Sequence, residues 1–166
     1  MGGSSIADFR FGSIVEKERL EFSFDGIAKK KRNLEDPMIK RLLHVRYRVS
    51  DLEKTVSFYK EVLGLKEIER LRSPRGSEIV FLKAPEGEEE LEICKFDPSG
   101  PMSVGYDITH LAFEVEDMKK FATFAASKGY PLSDGPTASA EGDIFGFVDA
   151  PEGYEIELIE KARMVV

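Results

Sequence analysis

The stretch that decides the fold runs from residue 42 to residue 64, LLHVRYRVSDLEKTVSFYKEVLG. Apolar and polar residues alternate at its start, which predicts a β-strand with every second residue from Val45 on the core side. Apolar residues then recur at helical spacing up to Gly64, which predicts an α-helix. The residues between them, Ser50-x-x-Glu53, fit a capping box at the beginning of that helix.

A second copy of this stretch occupies residues 109–130, THLAFEVEDMKKFATFAASKGY. His44 aligns with His110 at an offset of 66 residues (110 − 44), and no gap is needed. The ends of the two copies also repeat, because Glu92 lies within LEICKF and Glu157 lies within YEIELIE. An internal repeat of this kind indicates two equivalent structural modules.

Each copy continues with three further strand candidates. In the first copy these are LKEIERL, SEIVFLKAP and ELEICKF. In the second they are PLSDGPTASAEG, which is a weaker strand or a loop, followed by DIFGFVDAP and YEIELIE. The sequence therefore predicts an α+β fold of two paired β-α-β-β-β modules. The expected boundaries are an N-terminal extension at 1–38, a first module at 39–96, a linker at 97–107, a second module at 108–161 and a C-terminal tail at 162–166.

The N-terminal extension has two features of its own and is expected to be partly flexible. Residues 20–24 alternate apolar and polar side chains, which predicts a short strand or an apolar arm. Residues 29–32, KKKR, form the only basic cluster in the chain. We interpret this cluster as a solvated face rather than as a nuclear localisation signal.

Composition limits the partners and the compartment. The chain is 42% hydrophobic and 33% charged, which is typical of a globular protein. The net charge of −7 argues against nucleic-acid and anionic-membrane partners, and no apolar run approaches the roughly 20 residues of a membrane helix. The single cysteine, Cys94, and the lack of a secretory signal pattern predict a cytoplasmic protein.

The repeated His and Glu residues are the candidate metal ligands. The chain has two histidines, and both occupy the equivalent position at the start of a predicted strand. The two glutamates lie in the middle of the last strand of each module, and all four residues fall on the predicted polar faces. If the modules pair about a pseudo-twofold axis, the four side chains converge. Two imidazoles and two carboxylates suit an octahedral Ni(II), Co(II), Zn(II) or Mn(II) ion.

These residues also carry a resemblance to a known family. Residues 41–161 resemble glyoxalase I (lactoylglutathione lyase) of the vicinal oxygen chelate superfamily. RLLHVRYRVSDLEKTVSFYKEVLGLK is similar to the family's first strand and helix, and APEGYEIELIEK to its last turn and strand. The resemblance implies the glyoxalase/bleomycin resistance/dioxygenase-like fold. It also implies a divalent metal, Ni(II) or Co(II) in preference to Zn(II), held by four ligands: His44, Glu92, His110 and Glu157.

The resemblance also implies a reaction and its residues. The family isomerises the hemithioacetal of methylglyoxal and glutathione to S-D-lactoylglutathione, a methylglyoxal detoxification step. The metal would hold both vicinal oxygens and stabilise an enediolate, while Glu157 or Glu92 would move the proton between the two carbons. Arg48 matches the family arginine that pairs with a glutathione carboxylate, and an ordinary ion pair is the alternative for Arg48. The family often forms homodimers that share sites between chains, so a homodimer is expected.

Two departures keep other functions open. Phe96 stands where glyoxalase I typically has an asparagine that grips glutathione, so the identity of the thiol is left open. Cys94 lies two residues beyond Glu92 on the same strand face, and we interpret it as a small buried residue. One alternative is another metalloenzyme of the superfamily, an epimerase, thiol transferase or dioxygenase acting on a different vicinal-oxygen substrate. The other alternative is a non-catalytic protein that binds a small molecule.

Overall fold

The structure of the protein is a computed structural model that describes residues 38–163. All the helices and strands named below lie in the unit Arg41–Val166. The strand predicted at residues 20–24 and the basic cluster at residues 29–32 lie outside the described residues. The same is true of most of the predicted N-terminal extension.

The described chain contains two β-α-β-β-β modules. The first module consists of β1 (His44–Val49), α1 (Leu52–Glu61), β2 (Lys66–Arg72), β3 (Glu78–Lys83) and β4 (Glu90–Lys95). The second module consists of β5 (His110–Glu114), α2 (Met118–Ser127), β6 (Asp134–Ala138), β7 (Ile144–Asp149) and β8 (Glu155–Glu160). One-turn 3₁₀ helices follow β4 at Asp97–Ser99 and β7 at Pro151–Gly153. The predicted α+β fold is confirmed.

Each module forms its own four-stranded sheet, and the two sheets have equivalent strand orders. The first has the order β1-β4-β3-β2, and the second has the order β5-β8-β7-β6. In each sheet the first and last strands are parallel neighbours, while the remaining pairs are antiparallel. Residues far apart in the sequence, at the start and the end of a module, therefore lie side by side.

The helices begin differently from the capping box that the sequence suggested. The N-cap of α1 is Asp51 rather than Ser50, and the Asp51 carboxylate accepts a hydrogen bond of 3.0 Å from the Lys54 backbone N–H. Asp117 does the same for α2 at 2.9 Å. The Ser50 hydroxyl instead accepts a hydrogen bond of 2.7 Å from the backbone N–H of Met102. The capping-box prediction is wrong because that hydroxyl is used to hold the segment between the modules.

The hydrophobic core lies between the helices and the covered faces of the sheets. In β1 the predicted core residues Tyr47 and Val49 are 3% and 1% exposed. Helix α1 buries five residues, whereas α2 buries only Met118 and Ala125. The largest fully buried apolar side chains are Phe58, Tyr59, Leu82, Ile93, Met118, Ile156 and Leu158. The first module is therefore the more densely covered of the two.

Contacts across the seam hold the two modules together as one unit. The Glu152 carboxylate accepts hydrogen bonds of 2.9 Å from the backbone N–H groups of Ser50 and Asp51, just before α1. The rings of Tyr47 and Tyr154 are stacked, with centroids 3.9 Å apart. Because these contacts join the beginning of α1 to the turn before β8, they fix the position of one module relative to the other.

Two candidate metal half-sites

The first half-site pairs His44 on β1 with Glu92 on β4. The register of the parallel strands places Glu92 opposite Arg46, so its carboxylate reaches the imidazole two residues earlier on β1. His44 Nε2 and Glu92 Oε2 are 3.2 Å apart. The His44 side chain is 42% exposed, whereas the Glu92 side chain is only 2% exposed. Glu92 lies on the predicted face but is buried there, where Arg46 of β1 and Phe81 of β3 lie opposite it in the sheet.

The second half-site repeats this arrangement on β5 and β8. Here Ala112 lies opposite Glu157, and His110 Nε2 is 3.3 Å from Glu157 Oε2. The His110 side chain is 45% exposed and the Glu157 side chain is 21% exposed. Both half-sites therefore have the same backbone register and nearly the same donor separation, but their glutamates differ in burial.

The distance between the two donor atoms of each pair fits two neighbouring ligands of one metal ion. Imidazole nitrogen and carboxylate oxygen bind such ions at about 2.0–2.2 Å, so two neighbouring ligands at right angles lie about 3 Å apart. The distances of 3.2 Å and 3.3 Å are close to this value. Each pair can thus supply two adjacent positions of a coordination shell after the imidazole nitrogen loses its proton.

The four predicted ligands form two pairs within the chain and do not converge. Among residues 38–163, no three His, Cys, Asp or Glu side chains are grouped closely enough to hold a metal ion. Each pair is built within one sheet, and the two sheets formed by the described residues share no strand. A single chain therefore presents two separate halves of the predicted ligand set.

A phenylalanine that the sequence patterns did not predict packs against the histidine in each half-site. The edge of Phe81 on β3 faces His44 at a centroid distance of 5.6 Å, and Phe147 on β7 faces His110 at 6.0 Å. The signal was present in the sequence, because these phenylalanines have the same offset of 66 residues (147 − 81) as the histidines. Both rings restrict the orientation of the imidazoles.

Arg46 makes the two half-sites chemically different. Its Nε donates a hydrogen bond of 2.7 Å to Glu92 Oε1, and this bond raises the pKa of the guanidinium above its usual value. Both oxygens of the Glu92 carboxylate therefore have a partner, Arg46 on one and His44 on the other. The equivalent residue of the second module is Ala112, which cannot make such a bond. The alternation in β1 predicts the polar face for Arg46, but it does not predict this bond.

Arg48, the predicted ligand for a thiol carboxylate, lies at the end of β1 next to Phe96. Its Nη2 donates a hydrogen bond of 3.0 Å to the Phe96 carbonyl oxygen, and its guanidinium lies 5.5 Å from the centre of the Phe96 ring. Its Nε is buried and has no acceptor among the described residues. In that part of the chain, Arg48 also has no carboxylate partner, so the ordinary ion pair considered as an alternative is not formed there.

The remaining sequence expectations concern Cys94 and the membrane. Cys94 is 1% exposed and unpaired, which confirms its interpretation as a small buried residue. Within residues 38–163, neither helix is long and apolar enough to cross a membrane.

The fold and the paired side chains define a class of protein: an α+β chain of two repeated modules, each with one His–Glu pair at the junction of its first and last strands. The model of the Glyoxalase/Bleomycin resistance protein/Dioxygenase superfamily matches residues 41–158. The chain belongs to this superfamily, as the sequence resemblance implied.

Individual relatives extend this comparison. The chain is 30% identical over 126 residues to lactoylglutathione lyase GLX1 of Arabidopsis thaliana, covering 74% of this chain and 44% of that protein. It is also 30% identical over 131 residues to a lactoylglutathione lyase of Neisseria meningitidis, covering 73% of this chain and 91% of the relative. Glyoxalase I from Zea mays superposes with a TM-score of 0.65 at 30% identity, over 74% of this chain and 45% of that one. The chain spans less than half the length of these plant proteins.

Proposed function

We propose that the protein is a metal-dependent isomerase of the glyoxalase I type. Its substrate would be the hemithioacetal of methylglyoxal and glutathione, and its product S-D-lactoylglutathione. The observation that carries this proposal is the repeated His–Glu pair, with donor atoms 3.2 Å and 3.3 Å apart, in a chain similar to lactoylglutathione lyases. A protein that only binds a small molecule has no evident use for two such pairs.

The proposed metal ligands are the two His–Glu pairs, and the proposed ion is Ni(II) or Co(II), with Zn(II) as a weaker candidate. When bound, the dication supplies Lewis acidity, which lowers the barrier to removing the carbon-bound proton. The chain supplies the donor atoms and a partly enclosed setting, since Phe81 and Phe147 lie beside the two imidazoles.

We assign the proton transfer to Glu157 and a fixed ligand role to Glu92. Both oxygens of Glu92 are engaged and its side chain is 2% exposed. Glu157 has His110 as its one partner among the described residues, and its side chain is 21% exposed. A proton carrier must take the proton from one carbon and return it to the next, so the carboxylate with the freer oxygen suits this task. The isomerisation then needs no external oxidant or reductant.

The contacts of Arg48 are relevant to how the thiol co-substrate would be bound. A guanidinium that binds a carboxylate at two points needs free N–H groups, and Nη2 is the atom of Arg48 with an acceptor among residues 38–163. We propose that Arg48 binds a carboxylate of glutathione while the ring of Phe96 packs against the thiol's apolar part. The thiol must remain reduced for this reaction, which agrees with a cytoplasmic location and with the free Cys94.

We further propose that two chains complete the site. A single chain holds its two half-sites apart, so a homodimer in which the first module of one chain faces the second module of its partner would assemble all four ligands. Two inactive variants, His44→Ala and His110→Ala, test this arrangement after they are unfolded and refolded together. In a twofold dimer, one of the two sites in each mixed dimer regains both histidines, so roughly a quarter of the wild-type activity should return. Sites built within single chains would give no recovery.

The direct test of the function is turnover of preformed hemithioacetal by metal-stripped protein. Activity should appear when Ni(II), Co(II) or Zn(II) is added, and Glu157→Gln should abolish it while the neighbouring control Glu155→Gln retains it. The same assay with other small thiols establishes whether glutathione is the co-substrate. If metal binds and no thiol supports turnover, the isomerase assignment is wrong, and another metalloenzyme activity of the superfamily becomes the leading candidate.

A further inference from the structure

Arg46 is the side chain that most clearly breaks the equivalence of the two modules. It occupies the same strand position as Ala112, directly opposite the glutamate of its half-site. Its Nε holds Glu92 Oε1 at 2.7 Å, while Glu92 Oε2 remains beside His44 Nε2. No residue of the second module does this for Glu157 among the described residues.

We propose that Arg46 is a positioning residue that acts as the built-in counter-ion of Glu92. It holds one oxygen, directs the other towards His44, and keeps the first half-site assembled when no metal is bound. This inference rests on the proposed metal site. It goes further in assigning the two glutamates of each assembled site different strengths as metal ligands, and in naming the residue that causes the difference.

The burial of Glu92 explains why a counter-ion is needed. Its side chain is 2% exposed, and a carboxylate removed from water without a partner is strongly disfavoured. The Arg46 side chain is 54% exposed, so it can neutralise the carboxylate while much of its own hydration remains. Glu157 keeps 21% of its side-chain surface in contact with solvent, so water can take the place of an arginine beside it.

The same bond should weaken metal binding at the first half-site. Outer groups that hydrogen-bond a metal ligand typically change metal affinity by about 10–100-fold. A carboxylate ligand accepts hydrogen bonds from such groups, but Arg46 also places a full positive charge beside the position of a dication and competes for the charge of the carboxylate. Removing Arg46 should therefore raise the metal affinity by a factor on this scale.

The test uses the full chain and five variants, with metal-free melting temperature and the Ni(II) dissociation constant as readouts. Arg46→Met keeps the length of the side chain and removes its charge, and Arg46→Lys keeps the charge without the guanidinium. Ala112→Met, at the equivalent strand position, is the matched control. Glu92→Gln alone, and Arg46→Met combined with Glu92→Gln, complete a cycle that isolates the interaction of the two charges.

We expect metal-free Arg46→Met to melt below the wild type, and Arg46→Lys to lie between them. We also expect Arg46→Met to bind Ni(II) roughly tenfold more tightly than the wild type, whereas Ala112→Met should not. In the Glu92→Gln background, the Arg46 substitution should no longer lower the melting temperature. A merely structural role would not tighten metal binding.

Unchanged or weaker Ni(II) binding by Arg46→Met would overturn the inference, as would an equal loss of stability with and without Glu92. These readouts do not require turnover. If the affinities change as expected and the hemithioacetal is not isomerised, the counter-ion role of Arg46 is supported and the proposed function is wrong. If isomerisation occurs and the affinities do not change, the proposed function is supported and the counter-ion role is wrong. If the wild type binds no Ni(II), both the metal site and the inference are wrong.

Discussion

The two modules have the same backbone plan and differ in how they treat one carboxylate. In each, the glutamate lies opposite the residue two places after the histidine. The first module buries its glutamate and gives it an arginine, whereas the second leaves its glutamate partly exposed beside an alanine. The comparison teaches that the register fixes where the ligands lie, while the neighbouring side chains determine how freely they can move.

Packing around the helices follows the same division. Thr55, Phe58 and Tyr59 of α1 are 0%, 2% and 0% exposed, whereas α2 buries only Met118 and Ala125. A tightly covered sheet suits a fixed ligand, and a more open sheet suits a carboxylate that must change partners during a reaction. The division of labour proposed for Glu92 and Glu157 therefore agrees with the packing of the modules that hold them.

The largest expected effect separates the two glutamates. At saturating metal, Glu157→Gln should lower kcat by about 10²–10⁴-fold, the usual contribution of a positioned base, since the amide cannot accept the proton. Glu92→Gln should mainly weaken metal binding and should reduce kcat less once the metal is replenished. Equal losses of kcat in the two variants would remove the proposed asymmetry.

A second substitution gives the second module the arginine that the first module has. Ala112→Arg places a guanidinium opposite Glu157, as Arg46 stands opposite Glu92. If Glu157 must move to carry the proton, this bond should lower kcat by roughly tenfold, the scale of outer ligand contacts. Ala112→Lys controls for charge alone. Full activity of Ala112→Arg would contradict this prediction, because it would show that Glu157 can transfer the proton while it is bonded to an arginine.

A smaller effect is expected at the N-caps of the two helices, where the modules are alike. Asp51 and Asp117 cap their helices through equivalent hydrogen bonds of 3.0 Å and 2.9 Å. Asp51→Ala and Asp117→Ala should each lower the melting temperature by roughly 2–4 °C, because each helix loses the acceptor for one N-terminal backbone N–H. A much larger loss in one variant would extend the difference between the modules to their helices.

The smallest effect at neutral pH concerns tyrosines of the core and the seam. Burial raises the pKa of Tyr47 and Tyr154, and it raises the pKa of Tyr59 well above its usual value. Since the folded protein keeps these protons longer than the unfolded chain, stability should be constant at neutral pH and fall above about pH 10. Phenolate absorbance followed together with circular dichroism should show these groups ionising as the fold is lost.

The control for this titration is Tyr59→Phe. The Tyr59 hydroxyl is buried and has no hydrogen-bond partner among the described residues, so its removal should not destabilise the protein at neutral pH. Tyr59→Phe should show less of the phenolate absorbance that appears only when the fold is lost. Ionisation of the buried tyrosines before unfolding would contradict the prediction.

Much of this fold was predictable because its signals are local or repeated. The strong periodicity of β1 and α1 and the exact repeat of His44 and His110 identified the modules and the two His–Glu pairs. Glu92 was placed on the correct face, but its burial depends on the strands on either side of β4. The role of Arg46 was missed for a related reason, since alternation gives the face of a residue and not its partner. The separation of the two pairs depends on packing between modules, for which the sequence has no periodic signal.

The confinement of each His–Glu pair to a single sheet has an evolutionary consequence. The pair His44–Glu92 needs only β1 and β4 to form, and His110–Glu157 needs only β5 and β8. Duplication, fusion or exchange of whole modules would therefore transfer an intact half of the proposed centre, because neither proposed ligand pair crosses a module boundary. Such a design lets new active sites arise by recombining halves, and it leaves each half free to acquire its own mutations, as Arg46 and Ala112 illustrate.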